Sequence, residues 1–247
     1  MANLKKFENK YGVKYHLNDS MLISFPKSGR TWVRMMLAKM LNDMGYDVKH
    51  HEMMMSVHYD VNKAMSTFTE NSNILFMFRD PRDVVVSYYC EESLRRKRYS
   101  KSISEFIRDN NYGIEKVINY CNTWINNKSK FNQFKLITYE EMKSNTFDTM
   151  KSVTEYLNLN CGDKIIKDAV EYSKFENMKK IESGKGGTNY LKHYKGNFRE
   201  NKSGGDSNRV RKGKIGGFVD YLDETDVTFV NDKLNNLEGE LLCLVEK

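Results

Sequence analysis

Proline is scarce in this chain, with two in 247 residues, Pro26 and Pro81. Cysteine is scarce too, and Cys90, Cys121, Cys161 and Cys243 stand 31, 40 and 82 positions apart. Those spacings fit neither a zinc-binding pair nor a small disulfide framework, and they suit a reducing compartment. No apolar run approaches the roughly 18 residues of a membrane-spanning helix. The opening MANLKKFENKYG lacks the apolar core of a secretory leader. The expected location is therefore cytoplasmic, without a transmembrane segment. No internal repeat is visible. A Walker loop is also missing: GxxxxGK[ST] needs a glycine six residues before its lysine, and Met21 holds that place before Lys27. Binding of ATP with magnesium in the Walker manner is thereby not supported.

What is present is a chain with 39% apolar and 30% charged residues, long enough to bury one sizeable core. A single domain over 1–247 is expected. The formal charge of +7 points to an anionic ligand. Its excess is concentrated between 174 and 214, where twelve Lys and Arg face four Asp and Glu. Residues 181–217 hold nine glycines and almost no apolar periodicity, so a mobile basic lid is expected at about 181–210.

The apolar run MLISF (21–25) reads as a buried strand. After it Val33, Met36, Leu37, Met40, Leu41 and Met44 fall on one helical stripe that Gly45 closes. NILFMF (73–78) reads as a second strand, with Asp80 as N-cap, Pro81 as first helical residue and Asp83 three after the cap. FKLITY (134–139) is a third strand, and helical patterns fill much of 103–130, 146–172 and 224–239. Strands alternating with helices predict an α/β fold, a P-loop-like three-layer sandwich whose central parallel sheet is flanked by helices.

Two strand-to-helix loops carry the chemistry. FPKSGRTW (25–32) feeds a helix N-terminus, where backbone N–H groups and the positive end of the helix dipole favour an anion. Lys27 adds a charge there, and Ser28 and Thr31 add hydroxyls. FRDPRDVVVSYY (78–89) repeats the arrangement with Arg79 at the strand end and Ser87 on the helix. An arginine fork suits a phosphate monoester. Two cradles at the ends of neighbouring parallel strands imply a ligand with two separate anionic groups.

These segments, with RKGKIGG (211–217), resemble the 5′-phosphosulfate loop, the 3′-phosphate motif and the R-K-G-x-x-G element of sulfotransferases that use 3′-phosphoadenosine 5′-phosphosulfate (PAPS). The three stand in that family's order, so the resemblance runs from about residue 20 to 220. It implies sulfuryl transfer from PAPS, leaving 3′,5′-adenosine bisphosphate (PAP), with no metal. Lys27, Ser28, Gly29, Arg30, Thr31 and Trp32 would hold the 5′-phosphosulfate, and Arg79, Ser87, Arg211, Lys212 and Gly213 the 3′-phosphate. Tyr139 in ITYEEMK and Ser173 and Phe175 in SKFENMKK would meet the adenine, with Trp32 as a further ring. Lys27 would stabilise the leaving phosphate oxygen, and Ser87 would hold Lys27 aside until an acceptor arrives. Of His16, His50, His51, His58 and His193, the resemblance implies His58 as general base, 21 residues before Arg79.

The chain departs from the family at Ser56, where a lysine is frequent, at Arg30, where a threonine is frequent, and at Gly216, Gly217 and Phe218, where Gly-Asp-Trp is usual. A C-terminal K-x-x-x-T-V-x-x-x-E dimerisation pattern is missing, which leaves the oligomeric state open. The expected partner is a small-molecule or glycan acceptor. Its pocket would draw on MMMSVHY (53–59), residues 90–112 and the lid. The run Arg95, Arg96, Lys97 and Arg98 reads as a solvated helix face or as an attractor for an anionic acceptor. Two rivals stand beside this reading. A P-loop-type small-molecule or nucleotide kinase would need the missing Walker loop. A basic nucleic-acid-binding protein would use Tyr190, Tyr194 and Phe198 among the lysines of 174–214, leaving both strand-end loops without a task.

Overall fold

A computed structural model of the chain describes residues 4–6, 15–17, 20–46, 72–182 and 213–245, with backbone alone for 4–6, 15–17 and 181–182. His50, His51, His58, His193, Arg211, Lys212 and the expected lid beyond residue 182 lie outside the described residues.

Among the described residues, three parallel strands form the central sheet: β3 (Ser20–Ile23), β4 (Asn73–Phe78) and β5 (Gln133–Thr138), in the order β3-β4-β5. Ser20 stands opposite Asn73, and Asn73 opposite Gln133. Before them β1 (Leu4–Lys6) and β2 (Tyr15–Leu17) pair antiparallel, a hairpin the sequence pattern does not announce. Parallel neighbours need crossovers, and helices supply them. The chain runs from β3 through α1 (Arg30–Asp43) to β4. From β4 it passes through α2 (Pro81–Tyr89), α3 (Ile103–Arg108) and α4 (Ile114–Asn126) to β5. After β5 come α5 (Tyr139–Ser144), α6 (Thr146–Tyr156), α7 (Asp163–Tyr172), α8 (Phe175–Glu182), α9 (Glu224–Leu234) and α10 (Gly239–Val245).

Why the sheet sits in the middle follows from β4, all six of whose residues are buried. Successive side chains of a strand face opposite ways. Ile74, Phe76 and Phe78 pack with α2, α3, α4, α9 and α10, whereas Leu75 and Met77 pack with α1, α5, α6 and α7. Two cores, one per face, make the three-layer sandwich. A strand apolar on both faces is the signature of a covered parallel sheet.

Most boundaries follow local chemistry. Asp80 caps α2, accepting from Arg82 N at 2.9 Å, and Pro81 fills the first helical position. The third strand ends at Thr138 and not at Tyr139, because the Thr138 hydroxyl and the Glu141 carboxylate form a reciprocal capping box that starts α5. The first strand ends at Ile23, two residues before the apolar run does. Beyond Tyr89, Cys90–Arg95 continue α2 as a wider π-helical turn. None of the four cysteines forms a disulfide.

Candidate active site

The loop between β3 and α1 is built on backbone that few residues tolerate. Lys27 has φ 75° and Gly29 has φ 102°. At Gly29 a Cβ would come within 2.7 Å of both Met77 Cε and Tyr139 Cδ2, so a side chain there meets strain and collision together. Gly29 is also the N-cap of α1, which has neither a side-chain cap nor an acidic residue in its first turn. The positive end of the helix therefore faces the loop without a carboxylate of its own to offset it. Ser28 is 2% exposed and sits behind the loop, outside the cavity wall. Arg30 turns back: its Nη1 donates to the Ser24 carbonyl at 3.2 Å and to Ser24 Oγ at 3.4 Å. Its guanidinium braces the end of β3, which gives the residue a task its sequence position leaves open.

Arg79, at the end of β4, joins all three loops. Its Nη1 donates to the Lys27 carbonyl at 3.3 Å. Its Nη2 donates to Asp83 Oδ2 at 3.1 Å and to the Lys214 carbonyl at 3.0 Å. Its guanidinium carbon lies 4.2 Å from the centre of the Tyr139 ring. Burial pushes the Tyr139 hydroxyl up, against the opposing effect of Arg79. Trp32 meets the same ring edge-on, with centroids 6.0 Å apart.

Asp83 does more than sit in the first turn of α2. Its side chain is 2% exposed, and besides Arg79 it accepts from Gly216 N and Phe218 N, each at 3.0 Å. One buried carboxylate thus fastens the 213–218 segment to α2, with two charge-assisted bonds from backbone donors. Gly213 is pressed on the other side, where a Cβ would stand 2.9 Å from Phe175 Cε2.

These elements enclose a cavity of about 460 Å³. Of the expected site residues, Lys27, Gly29, Arg30, Thr31, Trp32, Arg79, Ser87, Tyr139, Ser173, Phe175 and Gly213 line it. Arg211 and Lys212 adjoin Gly213 but fall outside the described residues. The wall carries Lys27, Arg30, Arg79, Arg96, Lys143, Lys174 and Lys214 against Asp83, Glu91 and Glu176, so an anion is favoured. Three buried polar atoms of residues that line it, Trp32 Nε1, Arg79 Nε and Ser173 Oγ, have no hydrogen-bond partner among the described residues. A buried donor left unpaired is costly, and a ligand rich in acceptor oxygens and nitrogens would relieve all three. The residues present therefore fit a nucleotide carrying more than one anionic group.

Sequence reasoning misses Glu91. It stands one turn beyond Ser87, and its side chain is 5% exposed. Glu91 Oε2 accepts from Lys27 Nζ at 3.1 Å and from Arg95 Nε at 2.8 Å. Glu91 Oε1 accepts from Arg96 Nε at 2.8 Å and also pairs with Arg95 Nη2. Burial alone would raise the Glu91 carboxyl, but the bonds from Arg95 and Arg96 and the charge of Lys27 outweigh it and hold the acid far below the usual carboxylate range. Arg96 also pairs with buried Glu92, Nη1 to Oε1, at 3.4 Å. Arg95 and Arg96 are therefore tied to buried carboxylates and do not form a solvated face. Arg98 does project, with 62% of its side chain exposed.

Comparison with known proteins adds an independent view. The family description "Sulfotransferase domain" matches residues 17–237. Sulfotransferase 2A6 of Mus musculus is 25% identical over 202 residues, covering 69% of each chain. Flavonol 3-sulfotransferase of Flaveria bidentis is 22% identical over 279 aligned positions, covering 93% of this chain and 83% of that protein. Among solved structures, mouse sulfotransferase SULT7A1 complexed with PAP superposes with a TM-score of 0.70 at 15% identity, over 98% of both chains. Retinol dehydratase in complex with androsterone and the inactive cofactor PAP gives 0.66 at 15% identity, over 93% of this chain and 83% of that one.

Proposed function

The chain belongs to the PAPS-dependent sulfotransferase family, and from that premise we propose that it moves a sulfuryl group from PAPS to a hydroxyl or amine of a small-molecule or glycan acceptor. The observation that carries this is the convergence of the three loops on one cavity, among whose lining residues Trp32 Nε1, Arg79 Nε and Ser173 Oγ are buried without a hydrogen-bond partner among the described residues. In this reading the α1 loop from Lys27 to Trp32 receives the 5′-phosphosulfate, with Arg30 lining the cavity while bracing the end of β3. Arg79, Ser87, Gly213, Arg211 and Lys212 receive the 3′-phosphate. Tyr139, Ser173 and Phe175 face the base.

PAPS supplies a sulfur atom open to in-line attack and a phosphate that can leave. The protein's share is a proton acceptor for the attacking group and a positive field for the departing oxygen. His58 takes the acceptor's proton. The Lys27 ammonium faces the bridging oxygen as the sulfur–oxygen bond breaks and its electron pair passes to phosphate. No sulfuryl-enzyme intermediate is involved.

Transfer of label from PAPS to a panel holding a flavonol, androsterone and retinol tests the reading. The His58→Ala variant is expected to bind PAP normally and to lose transfer by about 10²-fold. Unchanged turnover would exclude His58. Transfer of the γ-phosphoryl of ATP to the same panel, with none from PAPS, would overturn the reading as a whole.

A further inference from the structure

We infer that Asp83 is a positioning residue for the 3′-phosphate, holding Arg79 and the 213–218 segment together as one wall of the cavity; this rests on the sulfuryl-transfer reading. An acid three residues after an N-cap ordinarily accepts from the cap's own N–H, and Asp83 stands at that place in α2. Here the Asp80 N–H donates to Glu140 Oε1 of α5 instead, at 3.2 Å. Asp83 is thereby released from capping, and its carboxylate turns to donors 133 and 135 residues further along the chain.

Three bonds then close a ring. Arg79 Nη2 donates to Asp83 Oδ2 at 3.1 Å and to the Lys214 carbonyl at 3.0 Å, and Asp83 Oδ2 accepts from Gly216 N at 3.0 Å. The backbone from Lys214 to Gly216 completes the circuit, and Asp83 Oδ1 adds the bond from Phe218 N. Arg79, Gly213, Lys214 and Gly217 line the cavity beside Asp83. The charge of a carboxylate at that wall opposes an anionic ligand. Its geometry favours one, because it fixes the direction of the arginine fork and the place of the segment beside that fork. The two effects have opposite signs, so a measurement can separate them. Phe218 has an anchor of its own: its ring is 7% exposed and lies 4.7 Å from the Arg82 guanidinium carbon. Loss of the carboxylate therefore acts on the fork and on Gly213–Gly216 more than on the fold.

Asparagine has the shape of Asp83 with one acceptor oxygen. Whichever way it turns, its NH2 meets an N–H donor, from Phe218 on one side or from Gly216 and Arg79 on the other. PAP and 5′-AMP, which lacks only the 3′-phosphate, are titrated calorimetrically into the wild type and Asp83→Asn. The variant is expected to weaken PAP by about ten- to a hundredfold and 5′-AMP by less than about twofold. Tighter PAP would mean that Asp83 acts only as a charge, and equal weakening of both ligands would mean a general structural role; either result overturns the inference, as does unchanged affinity for PAP. If Asp83→Asn does not fold, hydrogen exchange on the wild type decides. Binding and anchoring are linked reciprocally, so PAP is expected to slow exchange of the Gly216 and Phe218 amides by about tenfold or more and 5′-AMP to leave it unchanged. Equal protection by both ligands, or none by PAP, overturns the proposal. A wild type that fails to bind PAP would instead refute the sulfuryl-transfer reading, so the two failures are distinguishable.

Discussion

Replacing Arg79 by alanine is expected to weaken PAP binding by about 2–4 kcal/mol, or roughly 30- to 1000-fold. The reason is that this guanidinium has two tasks. Its Nε is buried without a hydrogen-bond partner among the described residues, on a residue that lines the cavity, and in the proposed function it faces an acceptor oxygen. Its terminal nitrogens meanwhile tie the Lys27 carbonyl, the Asp83 carboxylate and the Lys214 carbonyl together, so the substitution removes the proposed ligand contact and the fastening of three loops. Asp83 would also lose its cation while remaining 2% exposed, although it keeps its two backbone donors. Arg79→Lys would restore the charge without the planar fork and is expected to recover only a small part of the affinity. Calorimetric titration of both variants with PAP checks this. An alanine variant with wild-type affinity would remove Arg79 from the binding site.

Replacing Lys27 by methionine is expected to act on turnover far more than on binding. Methionine keeps most of the side chain's length and loses its charge, so the loop is filled while the departing phosphate oxygen goes without the cation proposed for it. A preorganised charge placed where negative charge develops supplies about 10²- to 10³-fold of rate, and that is the loss expected in kcat for PAPS turnover. PAP affinity should fall by less than about tenfold, since the helix N-terminus and Arg79 remain. Steady-state rates with labelled PAPS separate the two quantities. A loss confined to KM would show that Lys27 binds ground state and transition state alike.

Much of the lining of the candidate site was legible in the sequence because its pattern is local. Strand, loop and helix N-terminus follow each other within a dozen residues at Phe25–Trp32 and again at Phe78–Tyr89, and apolar periodicity marks both sides of each loop. Asp80 and Pro81 carry the start of α2 in their own side chains. The cross-links were not legible. Glu91 lies 64 residues from Lys27, and Asp83 lies 133 and 135 residues from Gly216 and Phe218. Nothing in a helical pattern tells a surface acid from one that will be buried under three cations. Arg95 and Arg96 read as surface charge for the same reason. The π-helical turn at Cys90–Arg95 has the sequence CEESLR, in which no residue type marks a wider helix. The β1–β2 hairpin consists of strands three residues long, too short for alternation to register.

The cavity suits an adenosine nucleotide with phosphates on both the 3′ and 5′ positions of the ribose better than ATP with magnesium. Direct competition between PAP and ATP with magnesium, followed by calorimetry on the wild-type protein, tests it most plainly. The two-ended clamp formed by the α1 loop and Arg79 predicts that PAP binds at least about tenfold more tightly, since ATP leaves the 3′-phosphate site empty. Tighter binding of ATP with magnesium would contradict the account.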